Sequence, residues 1–156
     1  VKNGDIRIKR DAMGKPYAGN TPGVFFSISH SGNWITAAFD SMPVGIDIER
    51  VKKVDLAAAG NILDTGDYAE MTAREEGRRS HYFYKCWTYH ESYIKMRGQG
   101  MTLPLAGMKK LAAEAFFKVY SIDPCYVLTV CSVCDVFPEK VVLTGIEELL
   151  ENTADE

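Results

Sequence analysis

No uninterrupted apolar run in the chain approaches the ~18–20 residues of a membrane-spanning helix, so no span is expected. Surplus basic charge is missing too: 18 Lys and Arg face 21 Asp and Glu, a formal net charge of −3. A chain-wide grip on a nucleic acid polymer needs clustered Lys and Arg, so an anionic ligand must instead be held by a local site. The first residues, Val-Lys-Asn-Gly-Asp, carry no apolar signal core. Cysteine is scarce, four in 156 residues, too few for the framework of a disulfide miniprotein. Cys125, Cys131 and Cys134 share one apolar stretch and, with Cys86, are expected to be buried free thiols. Cys131 and Cys134 have the spacing of half a zinc or redox motif, but no second close pair completes it. The expected compartment is the cytoplasm. Repeats, low-complexity tracts and flexible linkers are also absent.

What remains is an ordinary globular composition, 46% hydrophobic and 25% charged, sufficient for one domain or two very small ones sharing a core. Residues 5–10 alternate with period two and predict a short strand, and the turn residues of 11–23 predict a loop. Apolar runs at 24–29, 33–39 and 44–49 are separated by His30-Ser-Gly32 and Asp40-Ser-Met-Pro43, which predicts a three-stranded antiparallel meander. Short helices are expected from Asp55 and Asp67. A longer one is capped by Ser80, runs to about Arg97 and is stopped by Gly98 and Gly100. Strands at about 115–121, 126–132 and 140–143 precede a small helix from Ile146. Strands, helices, strands and a helix make an α+β order.

Chemistry concentrates in Val44-Gly-Ile-Asp-Ile-Glu49. Strand alternation puts Asp47 and Glu49 on one face and Ile46 and Ile48 on the other. Two adjacent carboxylates repel, and a hard cation such as Mg²⁺ relieves that cost while keeping positions for substrate phosphates. The plainer reading is a solvated strand edge, with Glu49 paired to Arg50 or Lys53. On the long helix, Trp87, Glu91 and Lys95 fall at i, i+4 and i+8, along one face. That places a possible metal ligand beside a phosphate-neutralising charge, or makes an exposed Glu–Lys pair; spacing alone leaves open whether Glu91 meets Asp47 and Glu49. His30, flanked by hydroxyls and a glycine, suits either a phosphate contact or a structural turn. Lys15, between Gly14 and Pro16, reads by itself as a solvated loop lysine. Met96, Met101, Leu103 and Met108 offer a soft docking surface or, more simply, core.

In order and spacing, Gly14-Lys-Pro16, Phe26-Ser-Ile-Ser-His-Ser-Gly32, Val44-Gly-Ile-Asp-Ile-Glu49, Trp87-Thr-Tyr-His-Glu-Ser-Tyr-Ile-Lys95 and Gly98-Gln-Gly100 with Leu103-Pro-Leu105 resemble the 4′-phosphopantetheinyl transferases, in their larger, surfactin-synthetase-activating type. The resemblance runs through nearly the whole chain. It implies antiparallel sheets with packed helices in two pseudo-twofold halves, the first incomplete here: residues 1–43 as its remainder, and 44–156 as the second half with the metal site. It implies Mg²⁺, or Mn²⁺, on Asp47, Glu49 and Glu91, against the pyrophosphate of coenzyme A in the cleft between halves. Lys95 would neutralise that pyrophosphate, Ser29 and His30 would take the nucleotide's 3′-phosphate, and Gly14, Lys15, Pro16 and Tyr17 would lie near the adenine. A serine of an acyl or peptidyl carrier protein would attack the β-phosphorus, with Glu91, directly or through a water on the metal, receiving its proton.

Three departures stand out. His90 replaces the usual Lys before the helix glutamate, Ser27 replaces the usual Asn, and the N-terminal strands and helix of the type have no counterpart. A binding module without catalysis is therefore the alternative function, and an unrelated Mg²⁺ phosphohydrolase a third. Because the shorter branch of the family builds its site between subunits, self-association is a further expectation.

Overall fold

A computed structural model describes residues 5–99 and 105–154, with side chains to residue 150. Gly100, Met101, Leu103 and Pro104 of the sequence motifs lie outside the described residues. The elements are β1 (Ile8–Arg10), β2 (Pro16–Ala18), β3 (Phe25–Ser31), β4 (Trp34–Asp40), β5 (Val44–Arg50), α1 (Leu56–Ile62), α2 (Thr65–Thr72), α3 (Glu76–Arg97), α4 (Met108–Leu111), β6 (Phe116–Tyr120), β7 (Tyr126–Ser132) and α5 (Ile146–Ala154). The architecture is α+β, with antiparallel sheets and packed helices, as the sequence order predicts.

β1 and β2 form a small hairpin, so the expected loop at 11–23 contains a strand and the strand expected at 5–10 is shorter. β3 and β4 form a second hairpin, in register from Phe25↔Asp40 to Ser31↔Trp34. The expected three-stranded meander stops there. β5 makes no backbone ladder with β4; it joins β7 and β6 in a separate sheet of order β5-β7-β6. The reason lies in the side chains of β3, which occupy the outward N–H groups of β5 in place of a neighbouring backbone. Residues 140–143 form no strand either. Pro138 lacks an N–H to start a ladder, and its carbonyl instead accepts from Lys118 Nζ and Tyr120 Oη, both at 2.7 Å, which ties the segment to β6 by side chains.

α3 begins at Glu76, not after Ser80. The Ser80 hydroxyl accepts from Val54 N at 3.1 Å and so holds the approach to α1 from inside the helix. Asp55 caps α1 and Asp64 caps α2 through their carboxylates, each satisfying an otherwise unpaired first-turn N–H. Gly98 ends α3 in the left-handed conformation, φ +67°, that a glycine adopts without strain.

α3 lies across β5 and β7, and Thr88 and Thr129 share a buried hydroxyl hydrogen bond of 2.8 Å between them. The approach is close at Gly45, where a Cβ would fall 2.5 Å from Met96 N and closer still to Ser92 O. Beneath the sheet, Ile46, Ile48, Leu128 and Tyr126 form one core; Ala59, Met71, Phe83 and Cys86 anchor a second, where α1 and α2 meet α3. Met96 is buried and Met108 half-buried, which decides those two methionines for the core. Cys86 and Cys131 are buried free thiols as expected, whereas Cys125 is exposed in the turn before β7 and Cys134 half-buried. No helix among the described residues is long and apolar enough to cross a membrane.

Candidate active site

The site is built where β3 runs alongside β5 under the C-terminal half of α3. β3 carries Ser27, Ser29 and Ser31 at period two, so all three hydroxyls face β5. They accept from Ile46 N at 3.1 Å, Ile48 N at 3.3 Å and Arg50 N at 3.0 Å respectively. A hydroxyl has one proton and two lone pairs, so each can also donate. Ser29 Oγ donates to Asp47 Oδ1 at 2.8 Å, and Ser31 Oγ donates to Glu49 Oε2 at 2.9 Å.

This arrangement excludes the solvated-edge reading of β5. Asp47 is only 3% exposed. Lys95 crosses from α3 to place Nζ 2.6 Å from Asp47 Oδ1 and 3.1 Å from Ser29 Oγ. Lys95 thus pairs with β5, not with Glu91 one turn away as the exposed helix pair would require. Burial pushes the Asp47 carboxyl above the ordinary carboxylate range, against the pull of Lys95 and the Ser29 hydroxyl. Glu91 is raised as well, first by burial and then by the nearby charge of Asp47, with Glu49 adding to it. The three acidic residues named from the sequence therefore share one electrostatic environment.

Whether these residues suit a divalent cation is answered by their unpartnered atoms. Asp47 Oδ2 and Glu91 Oε1 are buried with no hydrogen-bond partner. A buried acceptor left empty costs about 1–3 kcal/mol, a cost that a cation bound to either carboxylate would relieve. Among the described residues no three His, Cys, Asp or Glu side chains are gathered into a ready cage. Mg²⁺ does not need one, since it is commonly held by one or two carboxylates with water and substrate phosphates completing its octahedron. The donor set fits such an ion.

Beside the carboxylates opens a cleft of about 260 Å³, lined by Gly14, Lys15 and Pro16, by Phe26 and Ile28, and by Ile94, Lys95 and Gln99 of the helix end. The loop glycine has φ +85°. Lys15 is not the solvated lysine suggested by its neighbours: Nζ donates to Met96 O at 3.1 Å, and burial lowers its pKa against the pull of Asp11. Tyr17 is exposed on β2 and does not line the cleft. Lys95 belongs to both the cleft and the carboxylate cluster.

Ser29 departs from its sequence-based pairing with His30, and the structure gives the substituted His90 a place. Ser29 and His30 leave β3 on opposite faces, Ser29 buried and His30 exposed. The Ser29 hydroxyl proton is committed to Asp47, so Ser29 belongs with the carboxylates rather than with His30. His90, the substitution before Glu91, is 3% exposed, and burial lowers its pKa. Its Nδ1 has no partner among the described residues. It is an interior group, and burial works against its charged form. In the sequence Ser27 reads as a departure from the family pattern and Ser31 as a hydroxyl beside His30, and neither reads as facing the acidic strand; the signal is the Ser-x-Ser-x-Ser alternation itself, which puts three hydroxyls on one strand face.

Residues 43–115, which include β5 and α3, match the family model of the 4′-phosphopantetheinyl transferase superfamily. Over 160 residues the chain is 36% identical to the 4′-phosphopantetheinyl transferase Sfp of Bacillus subtilis (strain 168), covering 94% of this chain and 71% of that protein. It is 30% identical over 159 residues to the 4′-phosphopantetheinyl transferase psf-1 of Bacillus pumilus, covering 93% of this chain and 68% of the relative. A shorter match, 33% over 105 residues, reaches the 4′-phosphopantetheinyl transferase gsp of Aneurinibacillus migulanus, covering 67% of this chain and 44% of the relative.

Proposed function

The chain belongs to the 4′-phosphopantetheinyl transferase superfamily and to that class of enzymes, and we propose that it moves phosphopantetheine from coenzyme A to a serine of an acyl or peptidyl carrier protein in a divalent-cation-dependent reaction in the cytoplasm. The observation that carries the proposal is the position of Lys95. Its ammonium stands at the junction of an open cleft and a carboxylate cluster with two unpartnered buried oxygens.

Asp47, Glu49 and Glu91 are assigned the cation, Mg²⁺ or Mn²⁺, which when bound supplies positive charge to the pyrophosphate and to the departing nucleotide. Lys95 contributes a fixed charge to the same phosphates, held in place by Asp47 and Ser29 and costing no reorganisation during reaction. Gly14, Lys15 and Pro16 form the wall of the cleft assigned to the nucleotide end, and Tyr17, exposed outside that lining, takes no part in it. His30, on the open face of β3, is assigned the 3′-phosphate. The carrier hydroxyl oxygen bonds to the β-phosphorus as the bond to 3′,5′-ADP breaks, and the hydroxyl proton passes to Glu91. A carboxyl raised by burial is the better proton acceptor near neutral pH. The halves 1–43 and 44–156 fit this reading, as the sheet changes between β4 and β5.

The test is intact-mass measurement of an apo carrier domain incubated with the chain, coenzyme A and Mg²⁺. A gain of one phosphopantetheine, abolished by EDTA and by Asp47→Ala, is the expected result. No gain over a panel of acyl and peptidyl carriers, together with no calorimetric binding of coenzyme A, would overturn it.

A further inference from the structure

Resting on that reading of Asp47 and Glu49, we propose that the Ser29 and Ser31 hydroxyls are positioning groups that leave each carboxylate one free oxygen, and so favour a small octahedral cation, Mg²⁺, over Ca²⁺. The pattern repeats along the two strands. Each hydroxyl accepts the N–H of one β5 residue and donates to the carboxylate of the residue before it: Ile48 N and Asp47 for Ser29, Arg50 N and Glu49 for Ser31. The backbone donor fixes where the hydroxyl oxygen sits, and its single proton is left for the carboxylate. Ser27 repeats only the first half of the pattern, because the residue before Ile46 is a glycine with no carboxylate to hold.

One oxygen of each acid is thereby tied. Asp47 Oδ1 receives both Ser29 and Lys95, and Oδ2 is the oxygen left buried and unpartnered. Glu49 Oε2 receives Ser31, leaving Oε1. Asp47 Oδ1, accepting from two donors, has its lone pairs filled, and Glu49 Oε2 is turned toward Ser31 with one lone pair left, so in each acid the untied oxygen is the favoured ligand atom. Ca²⁺ takes six to eight oxygens and readily uses both of one carboxylate, whereas Mg²⁺ demands a compact octahedron in which single-oxygen ligands fit. The serine ladder therefore restricts the coordination available to the larger ion.

Ser31 gives the sharper test, since Ser29 also touches Lys95. Arg50 is exposed, so water replaces the lost acceptor in Ser31→Ala and the fold is retained. Mn²⁺ bound to the full chain is followed by electron paramagnetic resonance and displaced with Mg²⁺ and with Ca²⁺. In Ser31→Ala the preference for Mg²⁺ over Ca²⁺ is expected to fall about tenfold, the scale of lost outer hydrogen bonds at metal sites. Ser31→Thr, which keeps the hydroxyl, should restore it. An unchanged ratio overturns the proposal, as does equal weakening of both ions, which is what general loosening would produce. If the unaltered chain binds no Mn²⁺, the cation reading itself fails and takes this inference with it.

Discussion

Gly45→Ala is the substitution that most directly tests how the fold makes the site. The glycine lies under α3, and an added Cβ would stand 2.5 Å from Met96 N, with Ser92 O nearer still. Ordinary contact begins at 3.4 Å, so the helix must lift by more than the roughly 0.9 Å that the Met96 contact alone requires, and because both neighbours are backbone no side chain can yield instead. Overpacking of this kind costs about 1–3 kcal/mol, and the upper end is expected here. The collision is next to Lys95, whose 2.6 Å contact with Asp47 spans the same two elements. A displacement near 1 Å at reacting groups lowers turnover roughly 100-fold. Chemical denaturation should therefore show a loss of about 3 kcal/mol, and the carrier-modification assay a large fall in kcat at temperatures where the variant remains folded. A Gly45→Ala protein within 0.5 kcal/mol of the parent and equally active would refute the reasoning, because it would mean α3 slides freely over β5.

Three further outcomes follow from the buried charges. Glu91→Gln should lose turnover by roughly 100- to 10,000-fold while remaining at least as stable at neutral pH, since the carboxylate it replaces is disfavoured by burial and by Asp47; near-normal turnover would remove Glu91 from proton transfer. Lys95→Met should cost about 2 kcal/mol at neutral pH, less than breaking a fully buried pair because the Lys95 side chain is 29% exposed. That deficit should shrink in acid: Asp47 has a raised folded pKa, so the cost of burying its charge appears as pH rises through that value and disappears below it. A deficit independent of pH in thermal unfolding would contradict the assignment. His90→Leu should flatten the acid limb of the stability curve. Burial lowers the native His90 pKa, so its contribution is present above the unfolded value near 6.5 and is lost as pH falls through the native one. Parallel melting curves for parent and variant between about pH 5 and 8 would show that His90 is not the group responsible.

Local pattern made much of this protein legible in advance. The alternation of Val44-Gly-Ile-Asp-Ile-Glu49 placed Asp47 and Glu49 together, the helical spacing aligned Glu91 with Lys95, and Gly98 marked the end of α3. Each of these depends on residues within a few positions of one another, where backbone periodicity alone decides which side chains share a face. Tertiary structure decided the rest. Whether β5 joins β4 or β7, whether Lys95 turns to Glu91 or to Asp47, and whether His90 faces ligand or interior all depend on elements distant in the chain. The serine ladder shows the difference most plainly. Its alternation stands in the sequence, yet its meaning appears only when β3 lies beside β5 and each hydroxyl must place one proton: a hydrogen bond has two partners, and a strand's own sequence specifies just one of them.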